Sequence, residues 1–201
     1  MRVAGVRPAP RAWASVAIAL ALGALALWFA PREAFDWQPG LAVTQPWRLW
    51  TAALVHLSPL HLQANLLGCA VVAAFGTVAG VPRRAAWAWL AAWPLTHAAL
   101  ALQPRLLHYG GLSGLLHAGV AVAALHIAWQ APRHHRFIGL AVLVGLGAKL
   151  AFEQAWIGPT QAVAGWDIRI APLAHLTGAA AGLLCGTGAL WIDGGRPATG
   201  S

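Results

Sequence analysis

The sequence predicts an all-α, polytopic membrane protein built as a bundle of six transmembrane helices. Of its 201 residues, 59% are hydrophobic and only 9% are charged, whereas soluble domains carry roughly 25% charged residues. Six apolar stretches approach the ~20 residues that a helix needs to cross a bilayer. They cover residues 12–30, 57–79, 85–102, 112–131, 137–157 and 171–192. Because only short loops separate them, we expect one transmembrane domain over residues 1–201.

Segments rich in proline, glycine and charged residues separate the apolar stretches. The first stretch has a basic lead, as a signal peptide does. However, Pro31 directly follows the expected cut at Ala30, no good small-x-small site comes directly before it, and we expect a retained helix. Proline and glycine interrupt helices, so the breaker-rich segments are predicted to be loops. These segments are residues 31–46, 81–84, 103–111, 132–136 and 158–170.

The arginines predict the orientation of the bundle. With six crossings, one side collects Arg2, Arg7, Arg11, Arg83, Arg84, Arg133, Arg136 and Arg196. Cytoplasmic loops are enriched in Lys and Arg, so both termini are predicted to be cytoplasmic. The net charge of +8 then reflects topology and contact with the headgroups of the lipid bilayer. Nucleic-acid binding is not expected, because the arginines lie between apolar runs instead of clustering on one face.

Polar residues lie near the starts of the second, fourth and sixth stretches, which all begin on the non-cytoplasmic side. They are His56, His61, Asn65, Ser113 and His175. A polar side chain inside a bilayer is costly and indicates a functional site by default. At about 1.5 Å of rise per residue, Ser113 and His175 are predicted to lie at similar depth.

Small residues favour a close approach of the fourth and sixth helices. Gly178, Gly182 and Gly186 recur at four-residue intervals, and Gly114 with Ala118 gives a similar stripe on the fourth stretch. Such stripes occur in ordinary transmembrane packing, and that interpretation stays open. They would also allow the short side chain of a serine to reach an imidazole on the neighbouring helix.

The pair of Ser113 and His175 suits nucleophilic catalysis. A serine hydroxyl becomes a useful nucleophile when an imidazole takes its proton. The free N–H groups at the start of the fourth helix, together with Asn65, can supply donors for an oxyanion. No acidic residue stands out behind His175, since Asp167 lies in the preceding loop, so the sequence predicts a dyad.

Four short motifs in order resemble the rhomboid family of intramembrane serine proteases. They are Trp47-Arg48, His56 with His61-Leu62-Gln63-Ala64-Asn65, Gly111-Leu112-Ser113-Gly114, and Ala174-His175-Leu176-Thr177-Gly178 with Gly182. The resemblance implies a rhomboid-like bundle with Ser113 as nucleophile and His175 as general base. It also implies that His61 and Asn65, beside Gly111 and Gly114, support the oxyanion, and that the loop around Trp47 lies partly in the outer leaflet.

Within that family the chain is most similar to rhombosortases. The features are Gly-Leu-Ser-Gly-Leu-Leu-His ending at His117, and Lys149 with Glu153-Gln154 on the fifth stretch. The resemblance implies a multi-pass protein of the bacterial inner membrane whose active site opens to the periplasm. It also implies membrane-anchored substrates with a glycine-rich segment and a transmembrane tail, of the GlyGly-CTERM sorting type.

Four further residues are candidate modulators. His117 lies one turn after Ser113, but a partner on the same helix is poorly aimed to take the serine proton, so His175 is the preferred base. Lys149 and Glu153, four residues apart, share a helix face and can pair. They form either a neutralising structural pair or a site where Glu153 reads the substrate. His56 is expected to orient the loop before the second helix.

Other chemistries fit the sequence less well. There is no His-Glu-x-x-His motif and there are few carboxylates, so neither a metal site nor a cofactor is expected. A catalytically silent rhomboid-like protein that binds membrane clients is one alternative. A bis-histidine haem protein is another, although it would leave the Gly-Leu-Ser-Gly sequence around Ser113 unexplained.

Overall fold

The computed structural model describes residues 11–192, and the regular secondary structure in this part of the chain consists of helices. The long helices are α1 (Arg11–Leu27), α2 (Pro59–Val78), α3 (Arg83–Ala98), α4 (Ser113–Gln130), α5 (Arg133–Glu153) and α6 (Pro172–Ile192). Short helical turns occupy Arg32–Phe35, Pro39–Leu41, Arg48–Thr51, Ala52–Leu54 and Ala99–Leu102. Residues 11–192 include no β-strand, which confirms the all-α class.

Three of the helices, α2, α5 and α6, are long and apolar enough to cross a membrane, and α1 is a shorter apolar helix. The membrane-protein class is therefore supported, while the number of six crossings stays a prediction. Three arginines used to predict the orientation, Arg2, Arg7 and Arg196, lie outside the described residues.

The predicted boundaries agree within two residues for α2, α4 and α6. Helix α1 ends at Leu27, short of the predicted residue 30, and α3 ends at Ala98, with Ala99–Leu102 forming a separate 3-10 turn. The largest difference is at α5. This helix begins at Arg133, four residues before the apolar stretch, because polar residues are compatible with a helix that starts just after Pro132. It ends at Glu153, since Gln154 takes a left-handed conformation with φ 47°. The predicted last turn, residues 154–157, is therefore not part of the helix, and Glu153 lies at the end of α5.

Helix α4 is the centre of the bundle and contacts α2, α3, α5 and α6. The indole Nε1 of Trp89, on α3, donates to the carbonyl oxygen of Leu115 at 2.8 Å. Gly119 leaves space for that indole, because a Cβ at this position would lie 2.7 Å from the Trp89 ring. These contacts fix the start of α4, where the candidate nucleophile lies.

The connection between α1 and α2 is organised by one buried arginine. The Arg48 side chain is buried, and its Nη1 donates to the Asp36 backbone oxygen at 2.6 Å and to Asp36 Oδ1 at 3.0 Å. Its Nη2 donates to the Glu33 carbonyl oxygen at 2.8 Å. A buried ion pair with further hydrogen bonds holds the connection in one conformation.

Candidate active site

The first turns of α2, α4 and α6 meet at one end of the bundle and bring Ser113 and His175 together. Ser113 is the first residue of α4, and His175 lies in the first turn of α6. The Nε2 atom of His175 is 3.0 Å from the Oγ atom of Ser113. Each residue lies at the start of its helix, and the two side chains meet across the α4–α6 contact.

Glycines produce the close approach of α4 and α6 that this contact requires. A Cβ on Gly178 would collide with the backbone oxygen of Gly114, and one on Gly182 would collide with that of Ala118. A Cβ on Gly114 would in turn lie 2.6 Å from the Ala174 carbonyl oxygen. The small stripes predicted on these two helices therefore face each other.

An acidic residue lies behind His175, which corrects the expectation that none does. The Nδ1 atom of His175 is 2.8 Å from Oε2 of Glu153. Because a carboxylate only accepts hydrogen bonds, Nδ1 carries the proton and Nε2 is left free to accept from Ser113. The sequence did not reveal this partner, since Glu153 is 22 residues from His175 and belongs to a different helix. Asp167, the acid nearest in sequence, instead accepts from Ser58 Oγ at 2.7 Å.

Lys149 and Glu153 form the predicted pair on α5. The Nζ atom of Lys149 donates to Oε1 of Glu153 at 2.6 Å. The two carboxylate oxygens of Glu153 are thus engaged by two different partners within the protein. The side chain of Lys149 is 46% exposed and that of Glu153 only 15%, so the carboxylate is the more sheltered member.

His117 packs against the face of the His175 imidazole. The two rings are stacked, with centroids 4.3 Å apart and planes inclined by 14°. The Nδ1 atom of His117 donates to the backbone oxygen of Ser113 at 2.6 Å. His117 therefore supports the orientation of the His175 ring and does not point at the serine hydroxyl.

The groups expected to bind an oxyanion lie next to Gly111, two residues before Ser113. The Leu57 N–H donates to Nδ1 of His61 at 3.3 Å, which places the proton of this neutral imidazole on Nε2. That Nε2 atom faces Gly111, since a Cβ on Gly111 would lie 2.7 Å from it and 3.8 Å from Nδ2 of Asn65. Gly111 also has φ +137°, a conformation that favours glycine. Asn65 Nδ2 donates one N–H to the His61 carbonyl oxygen at 3.1 Å, and its second N–H, with Nε2–H of His61, lies beside the Gly111 backbone that precedes the nucleophile.

Tyr109 is a site residue that sequence reasoning missed. Its hydroxyl donates to the Gly111 carbonyl oxygen at 2.9 Å, and its backbone pairs with Trp37 in both directions, at 2.7 and 3.0 Å. Burial raises the pKa of Tyr109 to about 12, although hydrogen bonds with Ser113 and Gly114 oppose this change. The hydroxyl therefore stays protonated and fixes the Gly-Gly segment. Its position just before two glycines was the available signal.

His56 lies beside the site without contacting Ser113. Its Nδ1 donates to the Leu54 carbonyl oxygen at 3.1 Å, and its ring centroid is 4.9 Å from that of His61. Burial lowers the pKa of His56 from 6.5 to about 4, with the Leu54 bond acting in the opposite direction. The neutral ring packs where the loop enters α2, and the orienting role stays a prediction.

The cluster of His117, Glu153 and His175 is compact, with one ligand atom from each within 4.8 Å of the others. Its ring nitrogens are largely engaged, because Ser113 and Glu153 occupy both nitrogens of His175 and the Ser113 carbonyl occupies Nδ1 of His117. The stacked rings also lie in nearly parallel planes, so in this arrangement their in-plane lone pairs do not converge on one point. The geometry is that of a hydrogen-bonded cluster.

Comparison with known proteins identifies one family. The family model described as Rhomboid domain matches residues 43–192, which covers most of the chain and includes every residue of the site. No curated protein matches the chain at a significant level.

Proposed function

Because the chain belongs to the rhomboid family of intramembrane serine proteases, we propose that it is an intramembrane serine endopeptidase with Ser113 as nucleophile and His175 as general base. The 3.0 Å contact between Ser113 Oγ and His175 Nε2 carries the proposal. A nucleophile and a base within hydrogen-bond reach, with the base oriented by a third group, are the recognised signature of such chemistry.

The proposed reaction uses the groups around this pair. Ser113 Oγ attacks the scissile carbonyl carbon while His175 Nε2 takes the hydroxyl proton, and the same nitrogen then protonates the leaving amine. Water hydrolyses the acyl-enzyme, again with His175 as base. The first N–H groups of α4, which no helical carbonyl can reach, point toward the developing oxyanion together with His61 Nε2 and Asn65 Nδ2.

We further propose where the protein lies and what it cleaves. The first turns of α2, α4 and α6 form the site, and five described arginines lie at the opposite end of the bundle, at the starts of α1, α3 and α5: Arg11, Arg83, Arg84, Arg133 and Arg136. The loops at the site end carry four, Arg32, Arg48, Arg105 and Arg169, together with the acidic residues Glu33, Asp36 and Asp167. The positive-inside rule then supports cytoplasmic termini and a site open to the periplasm of a bacterial inner membrane. The similarity to rhombosortases supports a membrane-anchored substrate with a glycine-rich segment and a transmembrane tail.

Labelling with a fluorophosphonate, which reacts with activated serines, tests the activity. We expect label on Ser113 in the purified full-length protein, and loss of label in Ser113→Ala and in His175→Ala. Ser15→Ala is the matched control, because Ser15 is an exposed serine on α1 and should not affect labelling. Absence of label in folded protein would instead indicate a silent, client-binding member of the family, and a Soret band would indicate haem.

The substrate class needs a separate experiment. The protein is co-expressed with an exported reporter that carries a glycine-rich segment, a transmembrane helix and a basic end. Mass mapping of the reporter should show a new C-terminus near the glycine-rich segment with the wild-type protein and an intact tail with Ser113→Ala. A tail that stays intact in both would overturn the substrate class while leaving the protease chemistry in place.

A further inference from the structure

We propose that Glu153 is the positioning residue of a Ser113–His175–Glu153 triad, and that Lys149 fixes the carboxylate in its working orientation. The inference rests on the proposed protease function and replaces the dyad predicted from the sequence. It also assigns Glu153 a different task from substrate reading, because both of its carboxylate oxygens have partners inside the protein.

The first argument is that each carboxylate oxygen of Glu153 has a different hydrogen-bond partner. Oε2 lies 2.8 Å from His175 Nδ1, and Oε1 lies 2.6 Å from Lys149 Nζ. The side chains of His175 and Glu153 are only 10% and 15% exposed, so water competes little for this hydrogen bond. The ammonium group prevents the carboxylate from turning away from the imidazole.

The second argument is that the backbone of Glu153 is also held. Glu153 is the last residue of α5, and the side-chain amide of Gln161 donates to its carbonyl oxygen at 2.8 Å. The same amide lies 3.2 Å from the carbonyl oxygen of Gln154. These bonds satisfy carbonyl groups that a helix end leaves unpaired, and they fix the position from which the carboxylate reaches His175.

The third argument is chemical. When Ser113 Oγ bonds to the carbonyl carbon, its proton moves to His175 Nε2 and the imidazole becomes a cation. The Glu153 carboxylate accepts from Nδ1–H before and after this transfer, so it selects the tautomer that can accept the proton and stabilises the cation that forms. As the carbon–nitrogen bond breaks, the proton passes from Nε2 to the leaving amine. Glu153 itself gains no proton.

Glu153→Gln tests the inference sharply because Lys149 dictates how the new amide is oriented. The ammonium donates and therefore faces the amide oxygen, which turns the amide NH2 toward His175 Nδ1. Nδ1 must then accept, the proton moves to Nε2, and the base can no longer take the Ser113 proton. We expect the rate of fluorophosphonate labelling to fall by about 10²- to 10⁴-fold.

Two companion variants separate this effect from a structural one. In the double variant Lys149→Met with Glu153→Gln, the amide is free to turn its oxygen to Nδ1, and we expect at least about 10-fold recovery over Glu153→Gln alone. Glu153→Asp keeps a carboxylate and should retain more activity than Glu153→Gln. Phe152→Ala is the matched control, because Phe152 is the neighbouring residue on α5 and is 89% exposed; its labelling rate should be unchanged.

A measurement on the unmodified protein keeps the test independent of folding in the variants. ¹⁵N NMR of histidine-labelled protein, with His175 assigned by comparison with His175→Gln, should show a neutral imidazole protonated at Nδ1. Protonation at Nε2 would overturn the triad. Ser113-dependent labelling that persists in Glu153→Gln at a rate within twofold of wild type would also overturn it and leave the protease function intact. Absence of Ser113 labelling in the wild-type protein would reject the protease function itself.

Discussion

His175 Nε2 lies 3.0 Å from Ser113 Oγ although 62 positions separate the two residues in the chain. Backbone contact between the helices that carry them makes this distance possible. The carbonyl oxygen of Gly114 lies where Gly178 would otherwise bear a Cβ. The contact between Ser113 and His175 therefore depends on the lack of a Cβ atom at Gly178.

Gly178→Ala tests this dependence. The added methyl collides with the Gly114 backbone, which cannot move as a flexible side chain can, so α6 must shift away from α4. A displacement of about 1 Å at reacting groups can cost 10²-fold in rate, and we expect fluorophosphonate labelling of Ser113 to fall by about that factor. Overpacking should also lower the free energy of unfolding by about 1–3 kcal/mol.

Gly188→Ala is the control for the Gly178 substitution. It lies on the same helix, and no atom lies within 4 Å of the Cβ it would gain. We expect unchanged labelling and a slight gain in stability, because alanine favours a helix over glycine. Equal labelling rates in the two variants would contradict the role assigned to the close approach.

Removing the oxyanion donors should lower kcat without removing the nucleophile. The Nε2–H of His61 and the amide of Asn65 converge beside Gly111, and loss of one such donor typically costs about 10²- to 10³-fold in kcat. We expect that loss in Asn65→Ala, measured on a cleavable transmembrane reporter, with little change in KM. Gln63→Ala, an exposed amide on α2, is the matched control. A loss confined to KM would show that Asn65 binds substrate instead.

Gly111→Ala tests the proposed oxyanion position by a change in the backbone segment beside it. The new Cβ would lie 2.7 Å from His61 Nε2 and would occupy the space toward which this nitrogen donates, while φ +137° adds strain. Gly80→Ala adds a milder positive-φ strain without a collision, since Gly80 has φ +64° and open space around it. We expect Gly111→Ala to abolish cleavage and Gly80→Ala to lower only the melting temperature. Comparable activity in both variants would argue against an oxyanion position beside Gly111.

The site could be predicted from the sequence because its residues occupy similar positions near the starts of their helices. Ser113, His175 and Asn65 each lie near the start of a helix that begins on the same side, so the order of the helices alone brought them together. The facing glycine stripes were also visible, because their four-residue spacing repeats along a helix.

Glu153 could not be placed in the same way. Its role depends on α5 ending at that residue and on the direction in which its side chain leaves the helix, and the apolar pattern extended the helix to residue 157. The stacking of His117 on His175 likewise depends on the rotation of α4 relative to α6. Neither rotation nor side-chain direction can be read from spacing alone.

The loop between α5 and α6 is fastened to α2 beside the site. Ser58 Oγ donates to Asp167 Oδ1 at 2.7 Å and also accepts from the His61 N–H at 3.1 Å. In the same loop, the Trp166 ring lies edge-on to His61, with centroids 6.4 Å apart. Ser58 thus caps α2 and holds the loop over the oxyanion donors.

Asp167→Ala releases the loop and preserves the cap. We expect faster fluorophosphonate labelling of Ser113, because the cover over the site opens more often, and little change in stability. Ser58→Ala removes both contacts and should in addition lower the free energy of unfolding by about 1 kcal/mol, as loss of an N-cap does. Slower labelling in Asp167→Ala would show that the tether positions the site instead of covering it.

The lowered pKa of the buried His56 predicts that the stability of the protein depends on pH. The pKa of this histidine is about 4 in the folded protein, against an ordinary value of 6.5 for an exposed histidine, so the unfolded chain binds this proton first as the pH falls. The contribution of His56 to stability is therefore complete above about pH 6.5 and is lost progressively as the pH drops toward 4. Thermal unfolding in detergent should show a smaller decrease over this range in His56→Gln than in the wild-type protein. His134→Gln is the control, because His134 is an exposed histidine in the first turn of α5, and it should show the same loss of thermal stability as the wild-type protein. Identical pH profiles for all three proteins would mean that His56 is not buried as a neutral ring.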